Sequence, residues 1–151
     1  MTRMDKARTA IVVNRQAGTV RSMGPDAVER LITDAFGPDA AEVALVDGSA
    51  IEGHVRRLLD DGGLDRLIVG GGDGTLASAA GLVCGTKVAI GVLPLGTMNL
   101  IARTIGMNAD LATALKQLRD AEAKPIDAGR ANGRLFLHHV SFGLQPRMVR
   151  L

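Results

Sequence analysis

Aromatic side chains are nearly missing from this sequence, which has three Phe and no Trp or Tyr in 151 residues. A surface that binds single-stranded nucleic acid by stacking bases on rings has little to be built from. An excess of one charge is missing too. The formal net charge is only +2, and the basic residues are scattered, so no nucleic-acid partner is expected. A single cysteine, Cys84, excludes an internal disulfide and any multi-cysteine zinc site. Its apolar setting, Leu82-Val83-Cys84-Gly85, predicts a buried structural thiol. No apolar run approaches the roughly 18 residues that span a bilayer. The stretch Ala10 to Val13 after Lys6 and Arg8 is too short for a signal peptide. A cytoplasmic protein is the expectation. What remains is a hydrophobic fraction of 46% against 23% charged residues, the balance of a globular chain long enough to bury a core.

Two periods alternate along the chain. Thr9 to Asn14 is a continuous apolar run ending in a turn former, as expected of a strand buried on both faces of a parallel sheet. Val28, Leu31, Ile32, Ala35 and Phe36 then mark one stripe of a helix, with Pro25 in its first turn and Gly37-Pro38 ending it. Val43 to Val46 predicts a second strand, and Ser49-Ala50-Ile51-Glu52 has the spacing of a capping box opening the next helix. Leu67 to Val69 predicts a third strand, Leu76 to Leu82 a helix of small residues, Val88 to Leu93 a fourth strand, and Leu111, Leu115 and Leu118 a further helix. Strands alternating with helices imply an α/β domain of three layers around a mostly parallel sheet. Its span is residues 1–125. Beyond Pro125 the pattern changes. Ile126 to Arg134 reads as a strand and a tight turn at Asn132-Gly133, with Leu135 to Phe142 as the partner strand. Residues 126–151 are therefore expected to begin a β-rich second domain, truncated at Leu151.

The third strand runs directly into Gly70-Gly71-Gly72-Asp73-Gly74-Thr75. Without Cβ atoms such a turn lets a ligand approach the backbone, and its N–H groups attract anions at the carboxyl end of a strand. A carboxylate inside it repels phosphate unless a cation intervenes. Asp73 therefore suits a Mg²⁺ contact, but backbone hydrogen bonds that orient the loop, or a cap on the next helix, are also open to it. A Walker A lysine is absent, and so is the dinucleotide fingerprint after the first strand. A second turn, Pro94-Leu95-Gly96-Thr97-Met98-Asn99, leaves the fourth strand and opens a helix at about Thr97. Adjacent parallel strands would bring the two turns together, which points to a nucleotide-phosphate site.

Gly71-Gly72-Asp73-Gly74-Thr75 followed by Pro94-Leu95-Gly96-Thr97-Met98-Asn99-Leu100-Ile101-Ala102-Arg103 resembles the signature of the diacylglycerol kinase catalytic domain, a family that includes bacterial lipid kinases and sphingosine kinases. Asn14-Arg15-Gln16-Ala17-Gly18 resembles that family's first turn, with Arg15 where proline is usual. Asp127-Ala128-Gly129 and Ser141-Phe142-Gly143 resemble its crossing into a second domain. The glycine turn is shared with NAD kinases, an alternative enzyme class that the second turn disfavours; a non-catalytic nucleotide-binding module is the other alternative. The resemblance implies a fold like that of NAD kinases and diacylglycerol kinases, with transfer of the ATP γ-phosphoryl group to a lipid hydroxyl, Mg²⁺ as cofactor, and a protein peripheral at the membrane. It implies that Gly70, Gly71, Gly72, Asp73, Gly74 and Thr75 cradle the phosphates, with Asp73 near Mg²⁺. Gly96, Thr97 and Asn99 would contact the nucleotide, and Asn14 with Gly18 would close one side of the pocket. The family's general base lies in the second domain, so no catalytic base is assigned, and the fragment alone is expected to be inactive.

Smaller signals carry little. His138 and His139 are adjacent and on a strand would face opposite sides. Arg56, Arg57, Arg147 and Arg150 read as solvated charges, and Asp60-Asp61 as a surface pair. The apolar residues of Leu135 to Phe142 predict self-association, as a homo-oligomer or aggregate, or a disordered tail beyond Pro125.

Overall fold

The computed structural model describes residues 7–138. Expectations placed on His139, Ser141-Phe142-Gly143, Arg147 and Arg150 lie outside the described residues. The apolar runs form strands β1 (Thr9–Asn14), β2 (Ala40–Val46), β3 (Arg66–Gly71) and β4 (Ala89–Pro94). They pair in parallel in the order β2-β1-β3-β4.

Alternation along each strand sends side chains to both faces, and each face is covered by helices. Ala10, Val12, Leu67, Val69 and Val92 lie under α3 (Ile51–Asp61), α4 (Asp73–Val83) and α5 (Leu100–Thr104). Ile11, Val13, Ile68 and Leu93 lie under α1 (Gly18–Met23), α2 (Pro25–Phe36) and α6 (Leu111–Asp120). The expected three-layer α/β architecture is therefore present. Helix α2 buries Val28, Ile32 and Phe36 of the stripe its spacing predicts, and α3 likewise buries Ile51, Val55 and Leu58 along one face. At the amino end of the sheet Arg66 clamps the second layer. Its Nε donates to Thr9 Oγ1 at 3.1 Å, its Nη1 donates to the Leu118 carbonyl at 2.9 Å, and the guanidinium lies over the Phe36 ring.

Several local expectations change. Ser49 and Glu52 form no capping box. A short 3₁₀ turn, Gly48–Ala50, delays the helix to Ile51, and no side chain caps it. Cys84 is exposed rather than buried. It follows the last residue of α4, where apolar neighbours in sequence no longer share a face. The hairpin turn at Asn132-Gly133 is formed, both residues having positive φ, at 49° and 77°. This is the mirror-image turn that suits two-residue hairpins. Its strands, β5 (Gly129–Ala131) and β6 (Arg134–Phe136), are antiparallel and shorter than expected. Leu137 packs against the α3–α4 side of the core. Among the described residues no helix is long and apolar enough to cross a membrane.

The strand order sets the site. From β1 the chain leaves through α1 and α2 on one face, while from β3 it leaves through α4 on the other. The carboxyl ends of β1 and β3 are neighbours whose connections diverge. Such a switch point opens a crevice where ligands of parallel sheets bind.

Candidate functional site

Asn14 ends β1 at this crevice and holds it together. Its Oδ1 accepts from the Gln16 amide at 2.9 Å, closing the turn, and its Nδ2 donates to Thr75 Oγ1 on α4 at 3.1 Å. Gln16 Oε1 in turn accepts from the Gly48 amide at 3.1 Å. The loops after β1 and β2 and the start of α4 therefore form one rim.

The glycine-rich run is divided between elements. Gly70 and Gly71 belong to β3 and are buried, Gly72 is the N-cap of α4, and Asp73, Gly74 and Thr75 are its first turn. A Cβ on Gly70 would stand 2.9 Å from both Leu95 Cδ1 and Val13 Cγ2, so the absence of a side chain there serves packing. Helix α4 thus starts earlier than the apolar pattern from Leu76 suggests. The Leu76 amide donates to the Gly72 carbonyl at 3.1 Å. Among the described residues, the Asp73, Gly74 and Thr75 amides donate no hydrogen bond, as expected of the first turn of a helix whose N-cap, Gly72, has no side chain to cap it. Such open donors carry the positive end of the helix dipole.

The second turn is seated on the first. The Leu95 amide donates to the Gly71 carbonyl at 3.3 Å, and the Thr19 amide at the start of α1 donates to the Leu95 carbonyl at 3.0 Å. Gly96 meets Gly72 backbone to backbone, and a Cβ on Gly96 would stand 2.3 Å from the Gly72 Cα. Asn99 folds its side chain back on this turn. Its Oδ1 accepts from the Gly96 amide and its Nδ2 donates to the Gly96 carbonyl, both at 2.9 Å, while its own backbone is left-handed at φ 50°. The helix expected from about Thr97 starts only at Leu100. Thr97 is exposed, and its Oγ1 lies 3.9 Å from where a Cβ on Gly18 would stand. Asp73 points at α5: its Oδ2 accepts from the Leu100 amide and its Oδ1 from the Ile101 amide, each at 3.0 Å.

The residues proposed from sequence for the nucleotide site, Asn14, Gly18, the run from Gly70 to Thr75, Gly96, Thr97 and Asn99, therefore converge on the carboxyl ends of β1, β3 and β4. Some hold the rim rather than face it. Others were missed. A cleft of about 300 Å³ opens between α3 and α4, lined by Gly48, Ser49, Ile51, Glu52, Gly74, Thr75 and Ser78. Ser49 and Glu52 were visible as a polar pair, but their spacing pointed to a cap; Ser78 gave no signal among the small residues of its helix. On the opposite flank of α4 lies an apolar cleft of about 180 Å³, lined by Ala77, Leu100, Ile101, Phe136 and Leu137 with Asp73 and His138.

A resident metal finds few ligands. Among the described residues no cluster of three or more His, Cys, Asp or Glu is suited to hold an ion. The carboxylate at the centre of the site, Asp73, already receives one backbone amide on each oxygen. The described residues do not by themselves build a metal centre of three or more such side chains.

The sequence model of the diacylglycerol kinase catalytic domain matches residues 8–131. The chain is 36% identical over 152 positions to a Pseudomonas aeruginosa (strain UCBPP-PA14) protein named "Probable lipid kinase YegS-like", covering 97% of this chain and 47% of that one. A Klebsiella pneumoniae (strain 342) protein of the same name is 35% identical over 122 positions, covering 71% of this chain and 41% of that one. A solved diacylglycerol kinase from Bacillus anthracis str. Sterne superposes with a TM-score of 0.70 at 25% identity, over 89% of this chain and 47% of that one. The chain spans about half the length of the curated relatives it matches.

Proposed function

The chain belongs to the diacylglycerol kinase catalytic domain family, and from that premise we propose that it is the ATP-binding part of a lipid kinase that phosphorylates a lipid hydroxyl. The observation that carries this reading is the set of open amides at Asp73, Gly74 and Thr75, placed at the switch point of the sheet and beside the polar cleft. Preorganised N–H donors stabilise the charge of a phosphate chain and of the phosphoryl group as it transfers, without reorganising.

The cleft also orients the nucleotide. Glu52 at the α3 side repels phosphate and accepts hydrogen bonds from sugar hydroxyls or a base amine, whereas Gly74 and Thr75 at the α4 side attract phosphate. The nucleoside therefore belongs against α3 and the phosphates against α4. The apolar cleft on the other flank of α4 supports an acceptor with hydrocarbon near its hydroxyl, delivered from a membrane surface. Kinases of this family imply a divalent metal as well; the described residues build no cage for one, so such an ion would be held largely by the nucleotide phosphates. We read residues from 126 onward as the opening of a second, β-rich domain and assign the base for the lipid hydroxyl to that domain.

Calorimetry with ATP, ADP and adenosine tests the reading. ATP and ADP should bind saturably, and adenosine at least tenfold more weakly because it leaves the α4 amides unused. Adenosine binding as tightly as ATP would refute a phosphate site at α4.

A further inference from the structure

We infer that Asp73 is a positioning residue, a bracket that fixes the second turn to the first by capping α5 from outside, rather than a ligand for a metal ion. The inference rests on the reading of this crevice as a nucleotide site and specifies how that site is kept in shape.

A helix of five residues, as α5 is, has little stability of its own, and its first amides lack partners within it. The usual remedy is a cap from the residue just before it. Asn99 occupies that place but caps nothing: both ends of its side-chain amide are spent on Gly96. The missing acceptor comes instead from Asp73 on α4. Its two oxygens each take one amide, Leu100 and Ile101, at 3.0 Å. A bidentate arrangement fixes direction as well as distance, so α5 cannot pivot about a single bond.

The same geometry explains why a carboxylate is tolerated in a turn meant for phosphate. Asp73 is the first residue of α4 and faces the amino end of α5, so its charge is offset by two helix dipoles and two hydrogen bonds. That leaves less attraction for a cation. Loss of the carboxylate should release α5 and, with it, the Thr97–Asn99 segment that rests on Gly72 through Gly96.

Residue-resolved amide hydrogen exchange on the full chain is the test, paired with ATP calorimetry in Mg²⁺ and in EDTA. In the unsubstituted protein the Leu100 and Ile101 amides should exchange at least tenfold more slowly, after correction for intrinsic rates, than the open amides of Asp73, Gly74 and Thr75. In Asp73→Asn that protection should fall while exchange in β1 and β3 is unchanged. ATP binding should weaken by about tenfold, the scale of losing a hydrogen bond to a charged group, and by the same factor with and without Mg²⁺. Exchange at Leu100 and Ile101 as fast as at Gly74 in the unsubstituted protein would overturn the inference. So would a variant that loses only the Mg²⁺-dependent part of ATP binding. If Asp73→Asn does not fold, the unsubstituted exchange rates still decide. Absence of ATP binding in the unsubstituted protein would instead refute the nucleotide reading, and exchange would judge the role of Asp73 separately.

Discussion

Gly96 lies so near Gly72 that any side chain there meets backbone, at 2.3 Å from the Gly72 Cα, and backbone cannot swing aside as a rotamer can. Gly96→Ala is therefore expected to destabilise by about 1–3 kcal/mol through overpacking and to weaken ATP binding, read from a urea midpoint and from calorimetry. An unchanged midpoint would mean that the two turns are not in contact. The glycines were legible as turn formers because they cluster after apolar runs. Which one serves packing and which one faces the crevice was not legible, since Gly70 is constrained by Leu95 and Val13, both distant in sequence. Cys84 shows the same limit. Its neighbours are apolar, yet at the end of α4 it is exposed. Native protein should accordingly react with a disulfide reagent at a rate close to that of unfolded chain, and a protected thiol would contradict this placement.

Helices and strands obey more local rules, so most of them could be read in advance. β1 and β3 are covered on both faces, which is why they appear as unbroken apolar runs rather than alternating ones. On α6, Leu111, Ala114, Leu115 and Leu118 form the buried stripe. Leu115→Ala should cost about 2–5 kcal/mol by opening a cavity, measured by the shift in urea midpoint. The start of this helix is also sensitive to pH. The Asp110 side chain accepts from the Thr113 hydroxyl at 2.7 Å and the Thr113 amide at 2.9 Å. Those bonds, the hydroxyl first, hold its pKa below the ordinary 3.8. A depressed carboxylate stabilises the fold at pH values above its unfolded pKa, and the contribution is lost as pH falls through the lower folded value. Thermal midpoints should therefore drop below about pH 3.8, and Asp110→Asn should remove this part of the dependence. Starts were harder to read than middles. Asp73-Gly74-Thr75 looks like turn but is the first turn of α4, and Ser49 with Glu52 looks like a cap but lines a cleft. In both cases tertiary placement outweighs local preference.

Across the whole molecule, alternating periods were enough to expect a parallel three-layer sheet, and adjacency of β3 and β4 brings the two glycine turns together as anticipated. The order β2-β1-β3-β4, and with it the crevice between β1 and β3, depends on long-range pairing that no window of sequence displays. The bonds that shape the crevice, Asn14 to Thr75 and Asp73 to Leu100 and Ile101, join residues far apart in the chain. They could be found only once the strands were in register. If this crevice receives phosphate on the amides of α4, those amides themselves must report it. Titration of isotopically labelled protein with ATP, followed by amide resonances, should give saturable shifts that are largest at Asp73, Gly74 and Thr75, with smaller ones at Ser49 and Glu52. A folded chain whose α4 amides do not respond to ATP, or whose response centres on another surface, would contradict it.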